Sequence, residues 1–225
     1  MIYITGDIHA DTYEFTRRMA RQGLTEDDIL IVTGDFGYDW NSRYILEWMK
    51  LNHQYTVLFC DGNHENFDIL NRLQTVRRFG DRVGRFDSNT FRLLSGHMYD
   101  IQGKKVFVFG GAASIDKDMR VPGESWWPEE IPSRKTFETA RRTLRENSWS
   151  FDIFLTHTCN PETKKKVLGR YVQDFHDPTE EMIQALEEDI RTNGGSYGEH
   201  FFGHFHEEAD FGKKHCIYQR VISIE

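Results

Sequence analysis

Carboxylate, amide and imidazole side chains gather in five short segments spread along the chain: Asp7 with His9, Asp35, Asn63 with His64, His157, and His204 with His206. Such donors suit hard to borderline divalent cations, and segments so far apart meet only if the fold gathers loop ends into one cleft. The chemistry indicated is metal-assisted catalysis. A single histidine carries no such weight, so His53, His97, His176, His200 and His215, which fall outside the segments, are read as surface or core residues. Of these, His176 comes nearest to reaching the cleft, with surface placement still expected.

The segments read Gly6-Asp7-Ile8-His9, Gly34-Asp35, Gly62-Asn63-His64-Glu65, Thr156-His157 and Gly203-His204-Phe205-His206. Four of the five follow an apolar run, at 2–4, 29–32, 56–59 and 153–155. Continuous rather than alternating apolarity predicts strands buried on both faces, and ligands in open α/β sheets bind beyond the carboxyl ends of such strands. Between the runs lie helix signals. Asp11 with Glu14 forms a variant capping box, with Gly23 expected to close that helix; residues 41–52 repeat an amphipathic pattern. Ser133 caps a helix to about Asn147, and Asp177-Pro178 starts one through Met182, Leu186 and Ile190. Runs at 90–94, 97–101 and 105–109 stand too close for crossover helices and predict antiparallel pairing, as does the tail from Glu207.

With D-x-H, G-D, G-N-H-E, H and G-H-x-H in that order, the chain resembles the calcineurin-like metallophosphoesterase superfamily, small bacterial and phage-type members included, from near residue 6 to residue 206. The resemblance implies an α/β fold, a four-layer αββα sandwich of two mixed sheets flanked by helices, which also satisfies both halves of the pattern above. It implies two divalent metal ions, one held by Asp7, His9 and His206, the other by Asn63, His157 and His204, with Asp35 bridging. A shared carboxylate and hydroxide would ease repulsion between cations about 3.5–4 Å apart and create a nucleophile at neutral pH. Asn63 adds coordination without further negative charge. His64, beside it, is the candidate general acid for the departing oxygen. Glu65 is open between a loop-positioning role and a solvated one. Mixed nitrogen and oxygen donors accept manganese, the first choice here, or iron, zinc, nickel or cobalt.

A length of 225 residues with no linker predicts one domain over 1–225. A net charge of −8 argues against a grip on a nucleic-acid polymer. The run Lys164-Lys165-Lys166 is read as a solvated face. Met1 is followed at once by a strand, leaving no room for a signal peptide, and no apolar stretch spans a bilayer; three unpaired cysteines, Cys60, Cys159 and Cys216, suit a reducing cytoplasm. Cys159, two residues beyond His157, is read as inert rather than redox-active.

The chain departs from the Ser/Thr protein phosphatases, whose G-D-x-x-D-R-G becomes Gly34-Asp35-Phe36-Gly37-Tyr38-Asp39-Trp40: the phosphate-gripping arginine is missing and Asp39 is displaced by one. Arg43 is read as a helix-surface residue rather than its substitute. Residues 112–133 form an irregular insert, in which Lys117 and Arg120 could bind substrate phosphate and Trp126-Trp127 could serve as a lid or plug the sandwich edge. The expectation is a hydrolase of a small phosphodiester or nucleotide-like substrate. A phosphomonoesterase, protein phosphatases included, is the alternative; a nuclease or a non-catalytic scaffold is a further one. Oligomeric state is not encoded in any of these features.

Overall fold

The computed structural model describes residues 1–37, 51, 53–172 and 174–224. The expectations for Asp39, Arg43 and a helix over 41–52 lie outside the described residues, except that Leu51 falls outside regular structure.

The predicted runs form β1 (Ile2–Thr5), β2 (Ile29–Val32), β3 (Thr56–Phe59) and β9 (Ser150–Thr156). With β4 (Gln74–Arg78), β5 (Asp81–Arg85), β6 (Thr90–Leu93), β7 (His97–Ile101), β8 (Lys104–Phe109), β10 (Ser196–Phe202), β11 (Ala209–Phe211), β12 (Lys214–Cys216) and β13 (Val221–Ile224), they build two mixed sheets. The seven-stranded sheet runs β13-β1-β2-β3-β6-β5-β4 and the six-stranded one β11-β12-β10-β9-β8-β7. Strands β1, β2, β3 and β6 are parallel neighbours, as are β8, β9, β10 and β12, so the metal-donor loops leave one end of each parallel core.

Period-2 alternation explains why the strands read as unbroken apolar runs. Ile29 and Ile31 turn into the layer between the sheets with Ile4, Leu58, Val106, Val108, Ile153 and Leu155. Leu30 and Val32 turn the other way, onto Phe15 and Met19 of α1 (Thr12–Met19) and Phe67 and Leu70 of α2 (Phe67–Leu70). Phe107, Phe109 and Phe154 of the other sheet pack on α3 (Arg134–Glu146) and α5 (Pro178–Thr192) through Ala140, Leu144, Ile183, Leu186 and Ile190. Each such buried side chain contributes on the order of 1.5–3 kcal/mol, so three apolar layers hold four layers of structure together.

The predicted caps are present: the Asp11 side chain accepts from Glu14 N, Ser133 from Thr136 N and Asp177 from Thr179 N. Two expectations are corrected. Helix α1 ends at Met19 with Ala20 as its cap, and Gly23 lies in the following turn with φ +62°. The runs at 97–101 and 105–109 do pair antiparallel, but the run at 90–94 goes to the other sheet, parallel to β3 and antiparallel to β5, because Phe91 and Leu93 fill the inter-sheet layer. A helix not anticipated, α4 (Pro161–Leu168), is capped by Asn160, whose side chain accepts from Thr163 N. In the 112–133 insert, Trp127 is buried in the layer beneath α1 and α2, while Trp126 is half-buried with the Lys117 ammonium 5.5 Å from its ring centre. Among the described residues, no helix is long and apolar enough to cross a membrane.

Candidate metal centre

All five donor segments converge. Loop geometry brings them in: His9, Asp35, His204 and His206 hold left-handed backbone (φ +51°, +47°, +68° and +53°) at a cost of order 1 kcal/mol each, strain that typically collects at functional sites. Glycines permit the close approach. A Cβ on Gly62 would lie 2.1 Å from Asp35 Oδ1, and one on Gly203 would lie 2.1 Å from Asp7 Oδ1. Buried Arg18 of α1 pins the first loop by donating to the carbonyls of Asp7 (3.0 Å) and Tyr218 (2.8 Å). Backbone N–H groups aim the carboxylates: His204 N donates to both oxygens of Asp7 (3.1 Å each), and His64 N to Asp35 Oδ1 (2.8 Å).

The donors fall into two sets. In the first, His206 Nε2 is 3.2 Å from Asp7 Oδ2 and 2.9 Å from His9 Nε2. In the second, Asn63 Oδ1 lies 3.1 Å from His157 Nε2 and 3.0 Å from His204 Nδ1. Asp35 faces both, with Oδ2 at 3.8 Å from His9 Nε2 and Oδ1 at 3.3 Å from His157 Nε2. His157 Nδ1 is committed to the carbonyl of Thr33 at 2.8 Å, which leaves Nε2 for the cleft.

The charge balance is that of a site built for cations. Burial alone would raise the Asp35 carboxyl, yet His157, then His64 and His9, hold it well below the usual range. Burial opposes a charge on His157, but Asp35 overrides it and raises the imidazole to about 10. Half-buried His204 is pushed well below its ordinary value, first by desolvation of the ring and then by His157. Two ring nitrogens 2.9 Å apart, two carboxylates and an amide oxygen aimed at one space fit divalent cations by donor chemistry.

The donor cluster opens on a recess of about 440 Å³, lined among the described residues by Asp35, Asn63, His64, Arg120, Lys164 and the side chains of Ile115, Leu168, Tyr171, Phe175 and Phe205. Arg120 Nη2 sits 3.1 Å from His64 Nε2 and Arg120 Nε 2.8 Å from Asp116. A guanidinium only donates, so His64 Nε2 accepts; burial chiefly, with help from Arg120, lowers the affinity of this ring for a proton. Lys117 faces Trp126 instead and lines a neighbouring hollow.

Sequence reasoning missed several neighbours. Lys164, assigned to a solvated face, is buried and paired with Glu180 at 2.8 Å; only Lys165 and Lys166 of that run are solvated. The Asn160-Pro161 capping signal could have placed α4 and turned Lys164 inward. Ser114 and Glu130 reach Asn63 through the insert, and Tyr218 stacks on His206 with ring centres 4.5 Å apart. Glu65 is buried and structural, accepting from the backbone of Phe36 (2.9 Å) and Gly37 (3.1 Å); burial, with Asp35 and Asp61 nearby, raises its carboxyl to about 8. His176 is exposed, and the thiol of Cys159 is buried, which pushes it well above the usual range.

A search of curated proteins finds no match. The family model described as calcineurin-like phosphoesterase matches residues 1–208 of the chain, all five donor segments included; members generally bind two divalent metal ions. The chain belongs to the calcineurin-like phosphoesterase family and is a metal-dependent hydrolase acting on phosphoric esters.

Proposed function

We propose that the protein cleaves a small phosphodiester, nucleotide-like in shape, with one cation at Asp7, His9 and His206, a second at Asn63, His157 and His204, and Asp35 shared between them. The observation that carries this reading is the position of Asp35, whose two oxygens face different donor sets. When bound, the cations, manganese being the first choice for these mixed donors, supply a hydroxide nucleophile at neutral pH and draw charge from the phosphoryl oxygens.

The chain's own groups do the rest. His64 stands beside Asn63 at the mouth of the recess as the general acid. Its Nε2 accepts from Arg120 in the free protein; a leaving oxygen between the two takes the guanidinium as its partner, and its negative charge favours protonation of the ring. Preference for a diester rests on charge. Arg120 is already paired with Asp116, and Lys164 with Glu180, so the recess offers little net positive charge to a dianionic monoester. Ile115, Leu168, Tyr171, Phe175 and Phe205 suit an apolar or aromatic leaving group. Exposed arginines 72, 77, 78, 82 and 85 gather at the β4–β5 hairpin, outside that lining, which favours a small substrate over a polynucleotide. Buried, unpaired thiols at positions 60, 159 and 216 support a cytoplasmic setting.

The test is hydrolysis of bis(p-nitrophenyl) phosphate beside p-nitrophenyl phosphate by manganese-reconstituted protein. Diester turnover in excess supports the proposal; monoester turnover in excess contradicts it. On a diester with a poor leaving group, His64→Ala is expected to keep two manganese ions and lose about 10²–10⁴-fold in kcat. Full activity would remove His64 from its role.

A further inference from the structure

Within the insert, residues far from the donor loops are wired to them. Glu130 is buried, and its carboxylate closes on Ser114 twice: Ser114 N donates to Oε1 at 2.9 Å and the Ser114 hydroxyl to Oε2 at 2.6 Å. A serine hydroxyl has one proton. With that proton committed to Glu130, Ser114 Oγ can only accept from Asn63, and Asn63 Nδ2 lies 3.0 Å away. The amide is thereby given a direction, its NH₂ to Ser114 and its Oδ1 to His157 and His204. Backbone contacts hold the Glu130 main chain against this segment, since Ala112 N donates to the Glu130 carbonyl at 3.1 Å and a Cβ on Gly111 would lie 2.5 Å from that oxygen. The insert also reaches the next residue of the same loop, through Arg120 on His64.

We propose that Glu130 is a positioning residue which, through Ser114, fixes the amide of Asn63 with its oxygen toward the buried donor set, so that the 112–133 insert orders one metal site rather than opening and closing over it. This rests on the two-cation reading above. Reversal of the amide would point an N–H pair at the space where His157 Nε2 and His204 Nδ1 converge, and a cation there would lose an oxygen ligand and meet hydrogen-bond donors instead.

Two variants separate this role from simple packing. Ser114→Ala removes the acceptor of the Asn63 amide with almost no change of volume. Glu130→Gln leaves one carbonyl oxygen for two Ser114 donors and lets its own NH₂ donate to Ser114, reversing the relay. Titration of the metal-free protein with manganese by calorimetry, with manganese electron paramagnetic resonance to count ions, should show two sites in the wild type. In each variant one site weakens by about 10- to 100-fold, the range for outer partners of metal ligands, while the other keeps its affinity. The double variant should be no worse than the weaker single one, because both act through the same amide. Equal loss at both sites with a lowered Tm, or two sites of wild-type affinity in both variants, would overturn the relay while leaving the dimetal reading intact. Fewer than two sites in the wild type would overturn both.

Discussion

The two donor sets differ in exposure. Around Asp7, the His206 side chain is 48% exposed and that of His9 27%, and the Tyr218 ring stacks on His206. Around Asn63, His157 is fully buried, its far nitrogen tied to Thr33 and its neighbour Asn63 tied to Ser114 and Glu130. The Asn63 half is thus set deeper, with His204 its half-buried member, while the Asp7 half shows two of its three donors to solvent around a buried carboxylate. On the proposed two-cation reading, the difference teaches that a dimetal site would combine a half set by folding with a half that meets solvent, with Asp35 facing both.

The largest effect is expected at the coupling residue. Asp35→Asn should lose metal from both sets and reduce turnover by about 10³-fold or more, read by metal content and rate together. Retention of two tightly held ions would break the idea that the halves depend on each other. Next come matched deletions. His206→Ala should weaken one manganese site and change the stability of the metal-free protein by no more than about 0.5 kcal/mol; His157→Ala should weaken the other and destabilise by about 1–3 kcal/mol, since it leaves buried polar groups unpaired. Denaturant titration checks the pair, and equal stability losses would erase the contrast.

A smaller effect concerns the recess. Arg120→Ala removes a charged donor beside His64, and a KM increase of about 10-fold or more is expected, whereas Lys117→Ala, over Trp126, should change KM little. Equal effects of the two would mean that the insert presents its cations differently. A last effect, read only as pH falls, is acid sensitivity of the buried half. His200 lies on β10 beside β9, the strand that runs into His157; its Nε2 bonds Thr156 Oγ1 at 2.8 Å, and that hydroxyl donates onward to the Thr158 carbonyl. Burial lowers His200 to about 3, so between roughly pH 6.5 and 3 the unfolded chain takes up a proton that the folded one refuses. Stability from this group is complete above pH 6.5 and declines on acidification by up to about 1.4 kcal/mol per pH unit. Urea unfolding of the metal-free protein at stepped pH should show a shallower acid slope in His200→Gln; an unchanged slope would assign it elsewhere.

Much of the site was legible because metal ligation restricts side-chain type, and because strands buried on both faces betray themselves as unbroken apolar runs. Ile29 to Val32 feed two separate layers, so no polar alternation interrupts them. The β4–β5 hairpin was hidden for the opposite reason: an edge pair with five arginines on or beside it shows little apolar signal beyond Val76 and Val83. Its two-residue turn uses Phe79 and Gly80 at φ +53° and +82°, and a phenylalanine there does not announce a turn. Left-handed backbone at His9, Asp35, His204 and His206 is likewise imposed by the fold, at positions no glycine announces. The links from Glu130 to Ser114 and from Lys164 to Glu180 span 16 residues each and cross from one element to another, so neither periodicity nor motif spacing could show them.

The central claim is most directly tested by crystals of the protein grown with manganese, with anomalous diffraction recorded at the manganese edge. Two peaks are expected, one among Asp7, His9 and His206 and one among Asn63, His157 and His204, each within coordination distance of a different oxygen of Asp35. A single peak, or two that do not share Asp35, would contradict it.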